Sequence, residues 1–190
     1  MNTELPPGSE SRYRHITLEI GRLILRPFEP SDVARLRIIA GERRIADTTI
    51  SVPHPFADSD ASAWIEESCR DMLERKAYGF AIVLRETGVL IGYGALRDID
   101  TEHAQAEISF WISGDHEGKG YVTEAVDRLI TFAFETLNLN RLCAFHMVRN
   151  SGSKQVLQKL GFVQEGYLRQ RVRKWGVFED VLAWSRLRTD

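Results

Sequence analysis

The chain has 190 residues, 43% of them hydrophobic and 27% charged, with a formal net charge of −2. That supports one globular domain with a core of its own, and the near balance of charge excludes the basic footprint of a nucleic-acid binder. No apolar run approaches the ~18 residues of a membrane-spanning helix, and two distant cysteines, Cys69 and Cys143, without metal-ligand spacing predict a reduced, cytoplasmic chain.

Residues 1–14, "MNTELPPGSESRYR", are rich in Pro, Gly, Ser and charge and lack the organisation of a signal peptide. They read as a flexible tail, which leaves residues 15–190 as a single domain. "ITLEIGRLILRPF" reads as one bent strand or two short ones, with Gly21 at the bend. Ser31 is a good cap for a helix running to about Ile39. "VPHPF" is extended, because each residue before a proline is pushed out of the helical region. Asp58 then caps a second helix running to about residue 75.

Two strands, "YGFAIVL" and "VLIGYGAL", flank the turn signal "RETG". A third, "AQAEISFWI", puts Gln105, Glu107, Ser109 and Trp111 on one face and Ala106, Ile108, Phe110 and Ile112 on the other. A glycine-rich stretch, "GDHEGKGY", leads into a helix. Residues 139–148 read as a strand in which Cys143 is a small core residue. Residues 151–160 read as a helix ended by Gly161, and two long strands follow, joined near Lys174-Trp175-Gly176. The fold class is α/β (α+β): a mixed, mostly antiparallel sheet of about seven strands flanked by about four helices.

The glycine stretch has two readings. Gly118 and Gly120 serve a plain strand-to-helix turn, or they let the backbone approach a phosphate at a helix N-terminus. The spacing fits neither a Walker A loop, since Gly120 follows Lys119, nor the dinucleotide fingerprint, since Thr123 stands where the third glycine belongs. "NSGSKQVLQKLGF" repeats the arrangement. A strand ends, Asn150 caps a helix, and Ser153 and Lys154 lie in its first turn. Two strands that each feed a helix suggest neighbouring strand ends facing one ligand.

"ISFWISGDHEGKGYVTEAV" with "NSGSKQVLQKLGFVQEG" resembles the GNAT superfamily of acyl-CoA-dependent N-acetyltransferases. "LEIGRLILRPFEPSDV", "VPHPF" and "VRKWGVFEDVLAWSRL" resemble its Rim-type branch, which includes ribosomal-protein N-terminal acetyltransferases. The resemblance implies acetyl-CoA as co-substrate, no metal, and a primary amine as acceptor, on a protein N-terminus or a small molecule. It implies direct transfer in a ternary complex and is compatible with a homodimer; nucleic acid and membrane are not expected as partners.

For the coenzyme, the resemblance implies Ile112 and Ser113 at the strand end, Glu117, Gly118, Lys119, Gly120, Tyr121, Val122 and Thr123 in the loop and helix start, and Asn150, Ser153 and Lys154 in the second segment. Asp115 departs from the usual first residue of the loop pattern, and Glu117 stands where the branch often has tryptophan. Glu107 matches the branch's glutamate and is the expected base. Leu157 occupies the position of the tyrosine many relatives use as acid, so the resemblance does not carry that role over. In the Rim-type pattern a serine after Asn-x-x contacts the sulfur, and Ser153 fits it, leaving Ser153 or a water to protonate the thiolate. His54, Phe56, Trp64, Trp111 and Trp175 either line the acceptor pocket or belong to the core. Two rival readings are a nucleotide-dependent transferase, disfavoured by the lack of a Mg²⁺ motif beside the loop, and a non-catalytic acyl-CoA sensor. The five histidines show no zinc-ligand spacing.

Overall fold

A computed structural model describes residues 16–190; the expected tail, residues 1–14, lies outside them. Eight strands form one sheet. β1 (Leu18–Ile20) and β2 (Leu23–Arg26) form a hairpin that turns at Gly21, whose φ of +39° places it in the left-handed region. Of the two readings of this stretch, one bent strand or two short ones, the structure takes the second, which brings the sheet to eight strands. β3 (Tyr78–Leu84), β4 (Leu90–Asp100) and β5 (Gln105–Ile112) continue the sheet antiparallel. β6 (Arg141–Met147) lies beside β5 in parallel. The hairpin of β7 (Val163–Lys174) and β8 (Val177–Leu187) completes it, with β8 against β6 and β7 at the edge.

Among the described residues five α-helices cover the two faces: α1 (Val33–Ala40), α2 (Arg43–Thr48), α3 (Asp58–Leu73), α4 (Tyr121–Thr131) and α5 (Ser151–Lys159). The first face carries α4 and α5, whose Leu129 and Leu157 join Phe80, Ile108 and Trp184 in the larger core cluster. The second face carries α1 to α3, whose Leu36, Ile39, Ile45 and Ile65 pack with Trp111. β5 supplies both clusters by alternation, Ile108 and Ile112 to one and Trp111 to the other. A single-residue slip of β5 would exchange these faces.

Two caps differ from expectation. Ser31 does not cap the first helix; a 3₁₀ turn over Pro30–Asp32 precedes α1, and the Asp32 carboxylate accepts from the Glu29 N–H at 2.8 Å. Likewise Asp60, not Asp58, reaches back to the Ala57 N–H, at 2.7 Å. In both places the side chain three residues into the turn satisfies the free donor. α2 is an additional element, short and with only Ile45 and Ala46 buried. Among the described residues no helix is long and apolar enough to cross a membrane.

Candidate active site

Parallel strands need a crossover, and α4 supplies it between β5 and β6. Their ladder has only three pairs, ending at Glu107 opposite Cys143. β5 then follows β4 as far as Ile112, while β6 follows β8 as far as Met147. The strands part, and a cavity of about 670 Å³ passes through the opening. Val122, Ser153, Val156 and Leu157 line it on the side of α4 and α5; Ile45, Trp64, Tyr93 and Arg97 line it on the other. Parting strands leave backbone donors and acceptors that an extended ligand can pair with.

The glycine loop rims the first side. Its start is fixed by a 2.7 Å contact between Ser113 Oγ and His116 Nδ1. Gly118 and Gly120 have φ of +69° and +80°, and Gly120 is the residue from which α4 springs. A Cβ at Gly118 would meet nothing within 4 Å, and one at Gly120 only the Arg22 guanidinium, 3.7 Å away. The glycines are thus required by backbone conformation and not by internal crowding, and the space over the loop is open to a ligand.

Both flanks of the loop are tied down. Arg22 donates to the Glu124 carboxylate through its backbone N–H (2.8 Å) and guanidinium (2.9 Å), and to Lys119 O at 3.1 Å. Opposite, the Glu42 carboxylate accepts from the Gly114 N–H at 3.0 Å, and Arg44 pairs with both Glu42 and Glu117. The Lys119 ammonium turns onto Asp115 O at 2.7 Å.

Asn150 joins the two sides of the cavity. Its Oδ1 accepts from the Ser153 N–H at 3.0 Å and so caps α5. Its Nδ2 donates to Thr48 O at 2.9 Å, at the end of α2. Thr48, Thr49, Ile50, Ser51 and Val52 roof the second side. Arg149 also holds this segment, donating to the Asp47 carboxylate at 2.9 Å and to Asp47 O at 2.7 Å. Lys174 Nζ donates to Val52 O at 3.1 Å.

Glu107 is half-buried in the cavity wall, opposite Arg97 in the β4–β5 register. Burial pushes its carboxyl above the usual range against the opposing pull of Arg97; Asp98 raises it further and Arg171 opposes. Burial likewise pushes the Tyr93 phenol up to about 12, so it is a neutral hydroxyl at physiological pH. Tyr93 meets Trp64 edge-on, with centroids 5.2 Å apart, and stacks on Trp111 at 5.9 Å. Trp111 Nε1 is buried with no hydrogen-bond partner.

Of the residues singled out in the sequence, Ile112, Glu117, Gly118, Gly120, Tyr121, Val122, Thr123, Asn150 and Ser153 line the cavity with Glu107, Trp64 and Trp111. Ser113 is buried at the base of the loop, while Lys119 and Lys154 are outside the lining. Phe56 is a core residue, buried against Trp64. His54 sits edge-on to the exposed Trp175, whose Nε1 donates to Asp47 Oδ1 at 2.8 Å, and neither lines the cavity. Cys143 is not in the core: it is half-buried, its Sγ 3.5 Å from Ala106 O. Tyr93, Arg97 and the roof beyond α2 went unrecognised, because only the cross-strand register and long-range hydrogen bonds bring them to the site. Among the described residues no group of three or more His, Cys, Asp or Glu side chains is arranged to hold a metal.

A family model described as the acetyltransferase (GNAT) domain matches residues 22–163. The chain is 33% identical over 172 residues to YdaF of Bacillus subtilis (strain 168), covering 88% of this chain and 92% of that one. It is 26% identical over 160 residues to the spermidine N(1)-acetyltransferase of Vibrio cholerae serotype O1, covering 84% and 90%. The fold is shared with RimL, a ribosomal L7/L12 α-N-protein acetyltransferase solved in complex with coenzyme A. There the TM-score is 0.84 at 17% identity, over 90% of this chain and 97% of that one.

Proposed function

The chain belongs to the GNAT acetyltransferase family, and from that premise we propose that it transfers an acetyl group from acetyl-CoA directly to a primary amine, with both substrates bound together. One observation carries the reading. A single cavity reaches from the Gly118–Gly120 loop on one face of the sheet to Glu107 and the aromatic wall on the other. A donor and an acceptor entering from opposite faces meet in the opening between β5 and β6.

The residues present fit the coenzyme. Left-handed glycines with open space above them, at the start of α4, offer backbone donors to a pyrophosphate. Tyr121, Val122 and Thr123 continue that surface, and Ile112 and Ser113 lead the strand edge to it. Asn150 and Ser153 form the second half of the coenzyme side, with Lys119 and Lys154 as nearby cations. Bound there, acetyl-CoA supplies an acetyl thioester.

Glu107 is the general base. The acceptor arrives as an ammonium, and Glu107 removes one proton, directly or through a water, so that the nitrogen lone pair is free to form the amide bond. A carboxyl raised by burial is a better match to this task at neutral pH than an ordinary one. Ser153 donates a hydrogen bond to the departing sulfur, which leaves with the second proton of the attacking nitrogen. Leu157, in the same wall, has no proton to give. Two cysteines far apart in the sequence, Cys69 and Cys143, without metal-ligand spacing, support a reduced compartment such as the cytoplasm.

Initial rates with acetyl-CoA and an amine varied together test the reading. Intersecting double-reciprocal lines are expected; parallel lines would mean an acetylated enzyme and exclude direct transfer. Coenzyme binding without any turnover on a panel of amines and N-terminal peptides would instead support a sensor.

A further inference from the structure

We propose that the acceptor end takes an amine with a single positive charge beside an apolar or aromatic group, and rejects polyamines. The inference rests on the acetyltransferase reading and concerns which amine the second side of the cavity fits.

The wall there is aromatic. Trp64 and Tyr93 are half-buried and line the cavity, and Tyr93 stacks on the buried Trp111. Ile50 and Val52 of the roof also line the cavity. Such a surface gains by covering an apolar substituent and gains nothing from a hydrated chain of ammonium groups.

The charges exclude a polycation as well. Among the described residues two carboxylates line the cavity, Glu107 and Glu117. Glu117 is paired with Arg44 at the glycine loop. Glu107 therefore remains as the one carboxylate for an acceptor ammonium. Arg97 stands opposite it, and the Lys174 ammonium reaches the roof at Val52 O. A second or third ammonium on the acceptor would meet these cations without a carboxylate partner. Of the other carboxylates near this side, Asp98, Glu67, Asp71, Asp47 and Glu179 are outside the lining, and the last two are paired with Arg149.

Two sources share this chemistry: a free arylalkylamine, and the N-terminus of a peptide whose first residue is apolar. Acetyl-CoA consumption should be measured with 2-phenylethylamine, with a peptide beginning in Phe, and with spermidine. One of the first two is expected to exceed spermidine at least about a hundredfold in kcat/KM, and which one does identifies the source. Trp64→Ala should raise the KM of the preferred amine about tenfold with coenzyme affinity unchanged, and Trp64→Phe should restore most of it. Thermal melting checks that both variants fold. Spermidine turned over as well as the apolar amines, or a Trp64→Ala KM equal to the parent's, overturns the proposal while leaving the acetyltransferase reading intact. Coenzyme binding with no acetylation of any of the three would overturn both.

Discussion

Gly118→Ala separates the two uses a glycine loop can have, and the protein contains its own control. Gly118 and Gly88 both have φ of +69°, and an added Cβ meets nothing within 4 Å at either. Gly88 lies in the turn between β3 and β4 and is not part of the cavity lining. Each alanine therefore carries the same penalty, about 1–2 kcal/mol for a left-handed non-glycine residue. At roughly 2–4 °C per kcal/mol for a domain of this size, both melting temperatures should fall by about 2–8 °C. Coenzyme affinity should separate them. At Gly118 the new methyl occupies the space where backbone N–H groups approach a phosphate, so affinity should fall at least about tenfold, or 1.4 kcal/mol. At Gly88 it should not change. Calorimetric titration with coenzyme A and a thermal melt on the same three preparations make the comparison. Equal coenzyme affinity in the two variants would mean that Gly118 only shapes a turn, and the phosphate-cradle argument would be wrong.

Asn150→Asp keeps the α5 cap, since both side chains cap well, but turns the donor to Thr48 O into a second acceptor. An unpaired acceptor costs about 1–3 kcal/mol, so the roof should loosen and the acceptor KM rise more than the coenzyme Kd; equal changes in the two would argue against a clamp. His146 is buried, its Nε2 accepting from Trp184 Nε1 at 3.0 Å and its Nδ1–H donating to Met147 O at 2.8 Å. Burial lowers its pKa, so the unfolded chain binds the extra proton first. Stability should therefore fall as pH drops below about 6.5, by up to ~1.4 kcal/mol per pH unit. His146→Gln should flatten that limb relative to the parent, and unchanged pH dependence of denaturant midpoints would count against it.

The second half of the fold was legible because its signals are local. Gly120 and Asn150 mark the starts of α4 and α5, and Gly161, at φ +76°, follows the end of α5. The first half misled at caps, where Asp32 and Asp60 reach backwards by three residues. α2 has six residues and two buried side chains, too little for a periodic pattern. Glu107 could be placed on a face from alternation alone. Arg97 could not, because its place opposite Glu107 depends on the β4–β5 register. Phe56 and Trp64 looked equivalent as aromatic residues near a proline segment. Packing separates them, with Phe56 buried in the core and Trp64 half-buried in the cavity wall.

The assignment of Glu107 as the base is tested most directly by single-turnover acetylation with Glu107→Gln, using saturating acetyl-CoA and the parent's best amine. The variant keeps the side-chain volume, so coenzyme affinity and melting temperature should stay near the parent values. The rate of amide formation should fall about 10²- to 10⁴-fold, the usual contribution of a positioned general base. A variant that acetylates the amine within about threefold of the parent rate would contradict the assignment, since loss of a base that removes the ammonium proton cannot be so nearly silent.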